Sequence, residues 1–310
     1  MGIISKLYIK NFVCRYDKEV GVPYYSFLDF DGLKMEAHSF INSKGIEIKY
    51  FYYYYPKYKD DKIVLFCHGI GPGHTAYLAE IEQLAKRGFK VLSLDYTGCG
   101  ESLGKYLGSL NTPTRDVLEL LDYLKLEKPI VLVGHSLGGY TALNVINLRK
   151  SAQKAVVLSG FLSIPSLASS LIKNKFVVSK ILKYEQKIEP ELYRINNAEY
   201  LKNTSDDLFF IQSEDDGMVP YNISLKVVEQ IDNSHIKTLK VTNRKHNPNY
   251  TDEAVNYMND VFGRYNLLIK EKKLKTDEEK IEFFRDVSIS KLTAQDEEMF
   301  DQISKFLNEN

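Results

Sequence analysis

The sequence has no tryptophan, three cysteines and no surplus of either charge. Its 41 basic residues balance 41 acidic ones, so nothing favours electrostatic capture of nucleic acid. Cys14, Cys67 and Cys99 are odd in number and match no metal-ligand spacing. They point to reduced thiols rather than a disulfide framework, and no metal or other cofactor is expected. No stretch approaches the ~20 apolar residues of a membrane span, so stable membrane insertion is not expected. The first residues, Met1 to Tyr8, lack the apolar run of a signal peptide, and Lys6 stands where a myristoylation motif wants Ser or Thr. A soluble cytoplasmic protein is the expectation. The one hint of membrane contact is a stripe of Ile3, Ile4, Leu7 and Phe12.

What is present is a core-forming chain of 310 residues, 44% hydrophobic, long enough for one α/β domain with insertions. Residues 36–55 alternate in β-prone types around a turn at Asn42 to Gly45, the pattern of a hairpin. The aromatic run Tyr52 to Tyr55 reads as a half-buried strand rather than a ligand-stacking patch. Short apolar runs follow at 62–67, 89–94, 129–133, 155–158, 208–211 and 236–241. Such runs are typical of strands covered on both faces. Helical patterning separates them at 77–85, 116–126 and 224–231. This alternation predicts a doubly wound, mostly parallel central sheet flanked by helices.

Residues 161–205 break the rhythm with amphipathic helix only. They are read as a helical cap inserted over the carboxyl ends of the strands, against an ordinary long crossover helix. One domain is thus expected over 1–310, with its core at about 36–160 and 206–266 and a C-terminal helical extension over 268–310. In that extension Thr276 to Glu279 is a capping box. Met299, Ile303, Phe306 and Leu307 form an apolar stripe that either packs on the core or makes a homodimer contact.

The chemistry centres on Gly134-His135-Ser136-Leu137-Gly138. A buried strand runs into it and a helix-forming stretch leaves it, the setting of a nucleophile elbow that exposes a serine on a sharp turn. A serine hydroxyl needs a base, and the base needs an orienting acid. The chain order Ser, acid, His is met after the later strands. Asp216, three residues before Val219-Pro220, is the chosen acid, with Asp215 as its rival. His246 is the base, because it alone follows the last strand; His235 precedes that strand. An oxyanion hole needs two amides. Leu137 supplies one and Ile70, in the loop His68-Gly69-Ile70-Gly71-Pro72-Gly73, the other. No Gly-Lys-Ser/Thr follows that loop, so it is not a P-loop. Gly69, His74 and His135 are candidates to line the substrate pocket. For His68 and His135 a structural role competes.

With His68-Gly69-Ile70-Gly71, Asp95-Tyr96-Thr97-Gly98-Cys99-Gly100-Glu101-Ser102 (a D-x-x-G-x-G-x-S loop), the elbow, the Asp216 frame and His246 in this order, the chain resembles the α/β-hydrolase superfamily over about residues 36–262. The resemblance implies an α/β-hydrolase fold and hydrolysis through an acyl-enzyme, with Asp95 shaping the loop beside the site. Ser136 excludes the dehalogenase and epoxide-hydrolase branches, which carry Asp at the elbow. A carboxylic-ester hydrolase acting on a small acyl substrate is the first expectation. Thioesterase, acyltransferase, peptidase and C–C hydrolase chemistry use the same residues. A binding protein of this fold without turnover is the alternative of another class.

Overall fold

A computed structural model describes residues 2–150 and 152–309. Helix α1 (Ile3–Asn11) precedes a hairpin of β1 (Lys34–Ile41) and β2 (Glu47–Tyr54). Asn42 closes its turn, its side-chain oxygen accepting from the amides of Lys44 and Ile46, each at 3.0 Å. Next come β3 (Ile63–Cys67), α2 (Leu78–Lys86), β4 (Lys90–Leu94), α3 (Thr112–Leu124), β5 (Ile130–His135), α4 (Leu137–Leu148) and β6 (Ala152–Leu158). Between β6 and β7 (Asp207–Ser213) lie α5 (Ile164–Leu171), α6 (Lys175–Ile188) and α7 (Asn197–Asn203), and no strand. The chain continues through α8 (Leu225–Val228), β8 (Ile236–Val241), α9 (Asp252–Lys270), α10 (Asp277–Phe284), α11 (Ile289–Leu292) and α12 (Glu297–Asn308).

Among the described residues the strands form one eight-stranded sheet, ordered β1-β2-β4-β3-β5-β6-β7-β8. β2 is antiparallel to β1 and to β4; every other neighbouring pair is parallel. The two-residue period of a strand explains why the central runs are apolar throughout. Ile63, Leu65, Cys67, Leu132, Leu208 and Phe210 face one core, with α3 and α4. Val64, Phe66, Val131, Val133, Phe209 and Ile211 face the other, with α2 and α12.

Two expected helices differ at their ends. The one expected over 116–126 starts at Thr112, because Pro113 suits a first helical turn that lacks amide partners. The one expected over 224–231 is a single turn, α8. Tertiary bonds capture its start: Ser224 Oγ donates to the Gly160 carbonyl, and Leu225 N–H donates to Gln212 Oε1.

The terminal segments pack onto the core. Arg15 donates to the carbonyls of Gly100, Ser102 and Gly104, tying the N-terminal segment to the loop after β4. The α12 stripe, with Phe300 added, is buried against the sheet of its own chain. Each such side chain contributes roughly 1.5–3 kcal/mol, so the stripe is spent inside the molecule. The apolar stripe read as either a core contact or a homodimer contact is thus covered by the chain's own sheet. Glu297 anchors the start of α12 to Lys86 and Arg87 of α2, and its carboxyl is held down at about 2 by those cations and Gln83 against partial burial.

Glu80 on α2 is buried beside Asn249 and Gln295, and among the described residues its Oε2 has no partner. Burial pushes its carboxyl up to about 7 from 4.5. Below 4.5 both folded and unfolded chains hold the proton and there is no penalty. As pH rises the unfolded chain ionises first, so stability is lost progressively and the penalty is complete above about 7. Glu80→Gln is therefore expected to stabilise the protein by about 3 kcal/mol at pH 8 and hardly at all at pH 4. Urea unfolding of both proteins at the two pH values checks this.

Candidate active site

Ser136 ends β5 and begins α4. Its φ of 58° and ψ of −119° are strained for a residue with a side chain. Neighbours over-determine the turn. Ser136 N–H donates to the Leu158 carbonyl of β6 at 2.8 Å, and Tyr140 N–H to the Ser136 carbonyl at 3.1 Å. The two flanking glycines let α4 lie close to the sheet. A Cβ on Gly134 would overlap the Gly138 carbonyl, and one on Gly138 would overlap the Cys67 carbonyl. That carbonyl belongs to a fully buried central strand and cannot move aside. Gly138→Ala is accordingly expected to cost about 3–5 kcal/mol, a melting-temperature drop on the order of 10 °C by calorimetry.

His246 stands in the loop after β8. Its Nε2 is 2.8 Å from Ser136 Oγ, and its Nδ1 is 2.9 and 3.0 Å from the two Asp216 oxygens. The loop turns sharply there, with Asn243 and Lys245 both at positive φ. Asp216 also accepts from the amides of Met218 (2.8 Å) and Val219 (3.0 Å), which explains its place three residues before Val219-Pro220. Burial pulls its carboxyl upward, but the His246 hydrogen bond and charge and these two amides prevail and hold it below 3.8. Asp215 points elsewhere, to Ser213 Oγ and Lys245.

The loop after β3 lies against the elbow: a Cβ on Gly69 would come within 3.3 Å of Ser136 Cβ. Among the described residues, neither Leu137 N–H nor Ile70 N–H donates to another protein group. Asp95 binds this loop to the one after β4. Its Oδ1 accepts from His74 N–H at 2.7 Å and its Oδ2 from Glu101 N–H at 2.8 Å.

His74 and His135, expected at the substrate pocket, are both buried. His74 is 3% exposed, its ring Nδ1 2.8 Å from Asp95 and stacked against Phe51 at 3.8 Å. Its polarity is used to order the loop. His135 lies under His246. Burial pushes its imidazole down to about 3, so it is neutral. One tautomer then satisfies both ring nitrogens: Nε2–H donates to the His246 carbonyl (2.7 Å) and Nδ1 accepts from the Tyr77 hydroxyl (3.1 Å). His68 is likewise buried and pushed down to about 4 by burial, and stacks on Tyr96.

Sequence patterning missed Tyr77. It looked like one more apolar position on a helix face, and only the fold brings its hydroxyl between Gly69 and His135. Gln212 was missed as well. Its Nε2 donates to the Val219 carbonyl at 2.6 Å, which braces the Asp216 turn. No local motif marks either residue.

A mostly parallel sheet with a strained serine between strand and helix, in reach of a histidine from the loop after the last strand, defines the α/β-hydrolase class. Within it, the model of the family described as "Serine aminopeptidase, S33" matches residues 58–231, and the chain belongs to that family. The lysophosphatidylserine lipase ABHD12 of Bos taurus is 28% identical over 179 residues, 53% of this chain and 44% of that one. An epoxide hydrolase of Caballeronia sordidicola is 36% identical over 96 residues, 30% of this chain and 29% of that one. The match thus spans about half or less of the length of the curated relatives. Among solved structures, an esterase of Pyrococcus furiosus superposes with a TM-score of 0.58 at 19% identity, covering 83% of this chain and 96% of that one. Among the described residues no helix is long and apolar enough to cross a membrane.

Proposed function

We propose that this protein is a serine hydrolase that cleaves a carboxylic ester through an acyl-enzyme on Ser136. The observation that carries the reading is the hydrogen-bonded chain Asp216–His246–Ser136 at a strained elbow. Ser136 Oγ attacks the ester carbonyl carbon while His246 Nε2 takes its proton. The Leu137 and Ile70 amides stabilise the oxyanion. Collapse expels the alcohol oxygen, which takes the proton back from His246. Water then attacks the acyl-enzyme, giving its proton to His246, and the acid leaves as Ser136 recovers its hydrogen. Asp216, held ionised, keeps the imidazole in the tautomer with Nδ1–H and stabilises the imidazolium. Helices α5–α7 act as the cap that shapes the acyl site.

The names of the ABHD12 lipase and the Pyrococcus esterase favour ester over amide substrates; the family description keeps an aminoacyl amide in the test. A fluorophosphonate is expected to label Ser136 in folded protein, and short p-nitrophenyl esters to turn over faster than aminoacyl amides. Absence of labelling sinks the enzyme reading and leaves a ligand-binding protein of this fold. Labelling with faster amide turnover makes the protein a peptidase instead.

A further inference from the structure

One face of the molecule, formed by α1 with the outer side of the cap helices α5 and α6, combines exposed apolar side chains with lysines. Helix α1 packs on α6 through Tyr8, whose hydroxyl donates to the buried Glu185 at 2.6 Å and whose ring meets Tyr184 edge-on at 5.8 Å. This junction and α5 border a small, open apolar groove, with walls that include Ile164, Leu167 and Ile181 and with Phe12 and Leu171 among its lining residues. Large apolar side chains stand in solvent on these same elements: Ile3 (76% exposed), Leu7, Phe12, Leu171 and Phe176 (63%). Of the stripe expected from sequence, only Ile4 turns inward to the core.

The charge of this face is one-sided. Residues 2–12 and 160–184 hold Lys6, Lys10, Lys173, Lys175, Lys180 and Lys183 and no aspartate or glutamate, in a chain whose net charge is zero. All six are exposed, and among the described residues none is paired with a carboxylate. Lys180 lies over the Phe176 ring instead, 5.1 Å from its centroid. On α1, Lys6 and Lys10 are one turn apart beside Ile3 and Leu7, also one turn apart. That juxtaposition is the signature of a surface that lies on a bilayer, with apolar side chains entering the headgroup boundary and lysines meeting anionic lipid.

We infer that the face formed by α1, the end of α5 and the start of α6 docks the protein reversibly on an anionic lipid surface. The charge complementarity selects this occupant over a second copy of the chain, since two copies would bring lysine-rich segments that lack acidic residues against each other. The inference does not depend on the reaction at Ser136.

The test is co-sedimentation of the full chain with vesicles of phosphatidylcholine alone and of equal parts phosphatidylcholine and phosphatidylglycerol. Binding to the mixed vesicles at low ionic strength, weakening as salt rises, is expected, with little binding to phosphatidylcholine. The pair Lys6→Gln and Lys10→Gln is expected to lower the partition coefficient on the order of tenfold. Leu7→Ser with Phe176→Ser is expected to do so similarly. The exposed pair Lys270→Gln and Lys305→Gln, at the other end of the chain, leaves it unchanged. Circular dichroism melting confirms that each variant is folded. Failure to sediment with the mixed vesicles overturns the inference. So does equal loss in the Lys270/Lys305 pair, or a dimer on gel filtration that Leu7→Ser abolishes while vesicles are ignored.

Discussion

Ser136→Ala is expected to abolish ester hydrolysis, with kcat falling about 10⁶-fold and KM close to unchanged. The reason is that, among the described residues, the side-chain hydrogen-bond partner of His246 Nε2 is Ser136 Oγ, at 2.8 Å. In the proposed mechanism, what survives is stabilisation of the oxyanion by the Leu137 and Ile70 amides, which does not need the hydroxyl. The variant folds, because alanine carries the same Cβ as serine at this positive φ and keeps the same backbone bonds to Leu158 and Tyr140. A melting temperature near that of the parent, measured beside the rate, separates lost chemistry from lost structure. Ester cleavage that persists in this folded variant removes Ser136 from the nucleophile role.

Asp216→Asn is expected to lower kcat about 10⁴-fold with a smaller effect on KM. The asparagine oxygen can still accept from the Met218 and Val219 amides, so the turn holds. Its NH₂ then faces His246 Nδ1 and selects the imidazole tautomer that cannot take the Ser136 proton. The same change has a pH signature in stability. The Asp216 carboxyl is depressed in the folded state, so its contribution is present above its unfolded value near 4 and is lost as pH falls through the lower folded value. Urea midpoints are therefore expected to show the variant weaker than the parent at pH 7, with the gap closing below pH 4. A rate within tenfold of the parent at neutral pH would show that Asp216 does not orient the base.

Much of this was legible because the signals are local. Each central strand is a short apolar run, since burial on both faces requires it, and the elbow is written in five consecutive residues. Capping at Thr276 follows from the spacing of Thr276 and Glu279 alone. His246 and Asp216, which the fold brings beside Ser136, were singled out by their order after the strands, a property of the chain's one-dimensional rhythm. What the sequence left open has a different origin. His74 and His135 looked like pocket residues because a histidine near an active loop has two uses that sequence does not distinguish. Their burial against Asp95, and between Tyr77 and the His246 carbonyl, appears only in the fold. The α12 stripe gave period and polarity but not its partner, and the partner is the sheet.

The sequence by itself determined the strand rhythm and the strand-to-helix turn at Ser136, and singled out Asp216 and His246 as candidates, because period, glycine placement and chain order are local facts. Only the tertiary structure decided that Tyr77 and His135 brace the His246 loop from beneath. It also decided which terminal helix is spent on the core and which leaves lysines and apolar side chains facing outward. Those outcomes depend on contacts between residues far apart in the chain, with Tyr77 58 residues from His135 and His135 111 from His246. Packing across such distances is set by the closure of the whole fold, so no window of sequence contains it.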